Sequence, residues 1–209
     1  MNMPYFIDTI KLIDGRYNLI DFHNNRVNNT INHFFGFNPQ IDLNLLLPNP
    51  DKYKTGTYKC RLTYSNYIEN IEITPYVIRT IKKLKIIDLD GPDFYMKYKS
   101  FNYDFKYRDR TLIDSFLKGI GDKSDVLFIK NGSLTDTSFS NVVLYEKEKW
   151  ITPATFLLNG VKRRYLLENN YIMEEKISLD SISRFIKISL INAMLDPGDI
   201  EINIHDVEL

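Results

Sequence analysis

The sequence predicts a mixed α/β (α+β) protein in two lobes, a small one over residues 1–80 and a larger one over residues 81–209. Three observations carry this. Residues 5–35 read as a hairpin followed by a helix, and two more strands come before residue 75. Arg79 to Lys85 is a charge-rich stretch with the character of a linker. Asn131 to Arg164 then reads as a polar turn, a strand, a charged hairpin turn, a returning strand and a helix opened by a glycine. A chain of 209 residues can bury a sizeable core as one domain or as two small lobes.

Taken in order, Tyr5 to Leu12 alternates apolar and polar residues, and Asp14-Gly15 turns the chain into Tyr17 to Ile20. Phe22 to Phe35 has helical character, with Asp21 as its N-cap. Asp42 to Leu47 is a short helix or strand closed by Pro48-Asn49-Pro50. Tyr58 to Thr63 and Asn66 to Ile73 are strands around a tight turn at Ser65. The alternation in the first of these puts Lys59 and Arg61 on one face. A strand follows at Leu84 to Ile87, and a helix-like run at Thr111 to Leu117. Val142 to Leu144 forms a β-branched run, Glu146-Lys147-Glu148 the turn, and Trp150-Ile151 the returning strand. Gly160 at the start of the next helix lets backbone N–H groups approach an anion closely, which marks an anion site at a helix N-terminus. Arg163 and Arg164 read as a solvated helix face. Ser183 to Asp196 and Ile200 to Val207 supply the closing strands.

Composition excludes several classes. Lys+Arg and Asp+Glu number 27 each, so no global field favours nucleic acid or an acidic membrane. The single Cys60 rules out a disulfide framework within the chain and offers no metal cluster. No apolar run reaches the roughly 18 residues of a membrane span, and no signal-peptide pattern precedes the first strand, so the expected location is the cytoplasm.

Two motifs are more specific than composition. Leu134–Asn141, LTDTSFSN, resembles the T-E-G-S-S-S-N signature of fold-type IV pyridoxal-phosphate enzymes. Thr152–Leu167, TPATFLLNGVKRRYLL, is similar to the threonine–proline step and L-x-G-[VI]-T-R helix entry of the same family, in the same order along the chain. That family includes branched-chain and D-amino acid aminotransferases and aminodeoxychorismate lyase. The resemblance implies a pyridoxal 5′-phosphate cofactor held between two lobes, a larger lobe built as a barrel-like sheet with helices, a homodimer, and a small-molecule amine as substrate.

The resemblance also implies roles. FHNNRV matches the H-L-E-R-L segment whose arginine reaches the cofactor phosphate, which makes Arg26 the phosphate ligand; a guanidinium fork suits that task. His23 in the same segment reads as structural. Asp136 takes the place of the glutamate that faces the pyridine nitrogen, with Asp for Glu and Thr137 for Gly. Ser138 and Asn141 brace that loop. The backbone amides of Val161 and Lys162 fall where the phosphate is held, with Lys162 in place of a threonine. Asn192, in Asn192-Ala193-Met194, adds a polar side chain to the phosphate site and matches the lyase branch.

The cofactor needs a lysine to hold its aldehyde and later move a proton. Lys97, Lys99 and Lys106 are the candidates. Lys99-Ser100-Phe101-Asn102 resembles the K-S-L-N of the D-amino acid branch; Lys106-Tyr107-Arg108-Asp109-Arg110 resembles the K-x-x-N-R of the lyase branch, with Asp109 at the Asn position. Lys106 lies 30 residues before Asp136 and Lys99 lies 37 before it. The family spacing selects Lys106, and the helix-like run begins directly after Arg110. Lys59, Arg61 and Arg108 are the cations available for substrate carboxylates. The front segment that usually precedes the first family strand is short here, which rebuilds part of the substrate wall. The resemblance favours 4-amino-4-deoxychorismate lyase, giving para-aminobenzoate and pyruvate. The alternatives are a branched-chain or D-amino acid aminotransferase and a non-catalytic binding protein on a degenerate scaffold.

Overall fold

The computed structural model describes residues 3–92 and 103–208. Lys97 and Lys99 lie outside the described residues. The chain divides into two compact units. One runs to Val77 and takes in Phe105–Asp109; the other holds the chain from Ile78 to Asp104 and from Arg110 onward.

The first unit is an antiparallel sheet with a helix on one face. Strand β1 (Phe6–Ile13) turns at Asp14 and Gly15, both with positive φ, into β2 (Arg16–Tyr17). Helix α1 (Ile20–Phe35), the short helix α2 (Leu43–Leu46), β3 (Thr57–Tyr64) and β4 (Ile68–Pro75) follow, and the sheet order is β2-β1-β3-β4. The register pairs Phe6 with Tyr64, Thr9 with Arg61 and Lys11 with Lys59. Phe6, Ile10, Cys60, Leu62 and Tyr64 therefore share the face that packs on Val27 and Ile31 of α1. Thr9, Lys11, Lys59, Arg61 and Thr63 fall on the opposite face and are half-buried. Helix α1 starts two residues earlier than the sequence predicts. Leu19 sits at the N-cap in the left-handed region (φ 57°), and Asp21 falls in the first turn, where it favours the helix dipole without capping it.

Phe105–Asp109 lies along the start of β1. Phe6 and Tyr107 form an antiparallel bridge, Ile7 N–H donates to Lys106 O at 2.9 Å, and Arg108 N–H donates to Tyr5 O at 2.8 Å. The sequence assigns this lysine segment to the larger lobe. It joins the first unit instead because Phe105 and Tyr107 bury against Phe6 and Phe34.

The second unit holds two sheets. Strands β5 (Lys83–Asp88), β6 (Ser124–Lys130) and β7 (Ser133–Thr137) join β13 (Val207–Glu208) in the order β13-β5-β6-β7. Strands β8 (Asn141–Glu146), β9 (Lys149–Pro153), β10 (Met173–Glu175), β11 (Lys187–Ile191) and β12 (Glu201–Asn203) form the other, in the order β10-β9-β8-β11-β12. Leu84, Leu127, Leu134, Val142, Leu144 and Leu190 close one core shared by the two sheets. Helix α3 (Thr111–Ser115) precedes β6, and helix α4 (Val161–Glu168) sits between β9 and β10. The hairpin turn between β8 and β9 places Lys147 and Glu148 at positive φ, as a tight two-residue turn requires. Among the described residues no helix is long and apolar enough to cross a membrane.

Candidate active site

In the first unit, Phe105 and Tyr107 pack into the core on either side of Lys106, whose charge acts on the buried His23. Lys106 is half-buried, and its backbone is fixed by Ile7. Arg26 of α1 grips Asp8 of β1 with two bonds. Nε donates at 3.1 Å to one carboxylate oxygen and Nη2 donates to the other. His23 sits at 2.9 Å from the same carboxylate through Nδ1. Burial alone would raise the Asp8 carboxyl, but the charges of Arg26 and His23 and their hydrogen bonds hold it well below the usual carboxylate range. Burial lowers His23, with Asp8 acting in the opposite sense, so its imidazole stays neutral at pH 7. Its Nδ1–H donates to Asp8, and Nε2 is left buried as an acceptor with no partner. His23 is thus structural: it and Asp8 fix the orientation of the Arg26 fork.

In the second unit, β7 carries Asp136 one residue before its end, and the Asp136 carboxyl is almost entirely buried. Asn141 Nδ2 donates to Oδ1 at 2.8 Å, and the backbone N–H groups of Leu157 and Leu158 donate to Oδ2 at 3.1 and 2.8 Å. Burial pushes this carboxyl up to about 7; the Leu158 and Asn141 bonds, then Leu157 and the charge of Arg163, pull the other way and do not overcome it. An ionised carboxylate has about four acceptor sites, so these three donors leave one for a further N–H. Asn141 Nδ2 also donates to Leu158 O at 2.8 Å, tying the start of β8 to the run that enters α4.

Gly160 serves a different purpose from the one the sequence suggests. Its φ of −66° suits any residue, but a Cβ there would lie 2.1 Å from Asn141 Oδ1. The glycine makes room for the asparagine that holds Asp136. Helix α4 begins with no side-chain cap, so its first-turn N–H groups, those of Val161 and Lys162 among them, point outward unsatisfied by the helix itself.

The remaining side chains brace this arrangement. Lys162 is buried and its ammonium is ion-paired with Asp196, so the side chain supplies a strut and its backbone supplies the donor. Arg163 is 3% exposed, against the expected solvated face. It donates to Pro153 O at 2.9 Å, pairs with Glu174, and lies over the Phe156 ring at 4.7 Å, which fixes the loop leading to Leu157 and Leu158. Asn192 Nδ2 donates to Phe139 O at 3.3 Å, and its Oδ1 accepts from Met194 N–H at 2.8 Å. Its amide therefore supports the turn after Asp136. Ser138 O accepts from Arg110 at 2.7 Å, and its N–H faces Asp125 at 3.4 Å. Asp125, 1% exposed, has its carboxyl raised by burial, and its Oδ2 has no partner.

The model of the amino-transferase class IV family matches residues 6–198. The chain belongs to the class IV aminotransferase family. The fold of this class IV member is the mixed α/β fold of fold-type IV. A candidate 4-amino-4-deoxychorismate lyase from Haemophilus somnus aligns with a TM-score of 0.77 at 25% identity, covering 93% of this chain and 98% of that one. A hypothetical aminotransferase from Mycobacterium tuberculosis, in its PLP-bound form, aligns with a TM-score of 0.72 at 16% identity over 98% of this chain and 81% of its own. An uncharacterized protein from Haemophilus influenzae is 29% identical over 196 residues, 91% of this chain and 97% of that protein.

The residues of this class IV chain fit the family's cofactor. Asp136 keeps one acceptor site for a ring N–H, and a cation brought there would stabilise its ionised form. The uncapped start of α4 suits a phosphate. The structure brings Asp136, Asn141, Val161 and Lys162 together around the Leu157–Gly160 run, with Ser138 and Asn192 joined at the adjoining turn. Arg26, Lys106, Lys59, Arg61 and Arg108 belong to the first unit. Sequence reasoning missed Asp8, Asp125 and Arg163. An alternating strand carrying Asp8 four positions before a buried Leu12 was a usable signal for the first of these; Arg163 is buried by Pro153 and Glu174, which belong to other elements.

Proposed function

We propose that this chain is a PLP-dependent 4-amino-4-deoxychorismate lyase, which releases para-aminobenzoate and pyruvate. The observation that carries it is the buried Asp136, held by Asn141 and the Leu157 and Leu158 amides with one acceptor site left. When bound, the cofactor supplies an electron sink for carbanionic chemistry. Asp136 favours the protonated ring nitrogen on which that sink depends. Lys106 would hold the cofactor aldehyde and would take the proton from the substrate carbon that bears the amine. The α4 N–H groups and Arg26 bind the phosphate, with Asp8 and His23 keeping the guanidinium in place. The lyase chemistry is favoured by the Lys106–Arg110 run, the Asn192-Ala193-Met194 turn, and the likeness to the Haemophilus somnus candidate lyase.

A small amino acid aminotransferase of the branched-chain or D-amino acid kind is the second reading, favoured by the likeness in fold to the Mycobacterium tuberculosis protein. Incubation of the holoenzyme with aminodeoxychorismate, and separately with an amino acid panel plus 2-oxoglutarate or pyruvate, separates the two. Release of para-aminobenzoate without a keto-acid acceptor is the expected result. Amino transfer that requires an acceptor, with no para-aminobenzoate, overturns the lyase; inertness in both assays, in protein that ignores added cofactor, favours the non-catalytic binding scaffold. The proposal includes a homodimer, and full activity in a preparation that sediments as a monomer removes that part.

A further inference from the structure

His23 orients Arg26 through one ring nitrogen only. The Asp8 carboxyl is held ionised and has no hydrogen to give, so its 2.9 Å contact with Nδ1 requires the ring to carry a proton there. Arg26 Nη2 lies 3.5 Å from the same nitrogen. With the ring neutral, Nε2 bears a lone pair, and that nitrogen is buried with no hydrogen-bond partner. An orphaned acceptor in the core costs stability unless a donor reaches it. A second ring proton is not the answer. Burial lowers His23, Asp8 opposes this, and the charges of Arg26 and Lys106 add to the lowering. Cys60 and Tyr64 of β3, which feel the Asp8 charge, are pushed up by burial and stay neutral at pH 7.

Lys106 is held against the same two elements. Its carbonyl accepts at 2.9 Å from the N–H of Ile7, the residue next to Asp8 on β1. Tyr107 N–H donates to Phe105 O at 3.0 Å, a tight three-residue turn centred on Lys106 that takes it out of strand alternation. On either side of it the rings dock on α1: Phe105 lies 4.6 Å from His33 and 4.8 Å from Phe34, and Tyr107 lies 6.1 Å from Phe34. Lys106 is therefore tethered to β1, which carries Asp8, and to α1, which carries His23. Its ammonium rides on a long flexible stem with rotatable donors.

We propose that Nε2 of His23 is the resting acceptor for the Lys106 ammonium, which makes His23 a positioning residue for that lysine. The role rests on Lys106 as the cofactor lysine. It operates whenever the amine is protonated and not joined to cofactor: in the apoprotein, and after it has taken the substrate proton. Asp8 orients the ring through Nδ1–H, His23 presents its lone pair, and Lys106 N–H donates to it. The proton stays on the lysine. A neutral acceptor favours the ammonium over the amine and keeps the side chain from turning out to solvent.

The test is competitive labelling of the full-length apoprotein with acetic anhydride across pH, with peptide mapping to read Lys106 alone; only the free amine reacts. His23→Asn keeps a donor where Nδ1–H lies and removes the Nε2 acceptor. His23→Gln drops the bond to Asp8 and restores an acceptor near Nε2. The reactivity midpoint of Lys106 is expected to fall by about one pH unit in His23→Asn, roughly tenfold more amine at a fixed lower pH, and to stay near the wild-type value in His23→Gln. A role confined to orienting Arg26 predicts the reverse order, because only His23→Gln then loses its bond. Midpoints that agree in wild type and His23→Asn, or that shift alike in both variants, overturn the inference. Where a substitution at His23 prevents folding, nitrogen NMR of wild type against Lys106→Met decides. The Nε2 resonance is expected to move toward that of a bare acceptor while Nδ1 holds, and an unmoved Nε2 signal overturns the inference. Yellow colour on adding pyridoxal 5′-phosphate is read in parallel. Yellow wild-type protein without the His23→Asn shift means that this inference fails and the cofactor reading stands. Colourless wild-type protein sinks the cofactor reading, and the labelling still decides whether His23 accepts from Lys106.

Discussion

At the scale of single residues, Asp136 is the group whose chemistry is most perturbed for a purpose. Its carboxyl, at about 7 against an ordinary 3.8, keeps its proton in the folded apoprotein over a range where the unfolded chain has lost it. The folded state then binds more protons than the unfolded one, so stability falls as pH rises from about 4 to about 7 and levels off above that, by roughly 4 kcal/mol at most. Burial raises Asp125 in the same sense and lowers His23 in the opposite one, so the raw profile of the protein mixes all three. The difference between wild type and Asp136→Asn isolates the site. Denaturant-derived stabilities of the two apoproteins are expected to draw together as pH rises from 5 to 7, and parallel profiles would contradict the assignment. A cationic nitrogen placed at Asp136 removes the buried proton, so bound cofactor is expected to flatten the same slope.

At the scale of elements, the strands and helices that alternate cleanly were legible in the sequence, and those that break the hydrophobic rule were not. The β1–β2 hairpin, β3, β4, β8 and β9 follow from alternation and turn chemistry. Strand β7 reads as a polar turn because it carries Ser133, Thr135, Asp136 and Thr137, yet all five of its residues are buried. Its polar groups are satisfied internally: Thr135 Oγ1 donates to Phe128 O at 2.8 Å, and Asp136 takes the three donors described above. Periodicity measures hydropathy, and a strand that buries paired polar side chains such as Thr135, Asp136 and Thr137 hides from it. Arg163 hides likewise, because its partners Pro153 and Glu174 lie on other elements. Gly160 was legible as a special position but its reason was not, since the atom it avoids belongs to Asn141. Gly160→Ala forces that asparagine aside. It is expected to destabilise the protein by about 1–3 kcal/mol and to weaken cofactor binding. In a double-mutant cycle with Asn141→Ala the two losses should fail to add, because the clash and its victim disappear together. Strictly additive losses would show that Gly160 acts through something else.

At the scale of the whole molecule, the family model spans residues 6–198 and so includes elements of both units. The class was legible because two motifs resemble the family's own: Leu134–Asn141, which carries the proposed ring partner Asp136, and Thr152–Leu167, which carries the proposed phosphate-binding helix entry. What those motifs leave open is which lysine completes the site, since Lys97, Lys99 and Lys106 stand within ten residues of one another. The central claim is that Lys106 holds the cofactor. Borohydride reduction of the holoenzyme fixes the cofactor covalently to the lysine that carries it, and peptide mass mapping then locates the added mass. The account predicts the modification on the peptide containing Lys106 and its loss in Lys106→Ala; modification at Lys97 or Lys99, or none in protein saturated with pyridoxal 5′-phosphate, would contradict it.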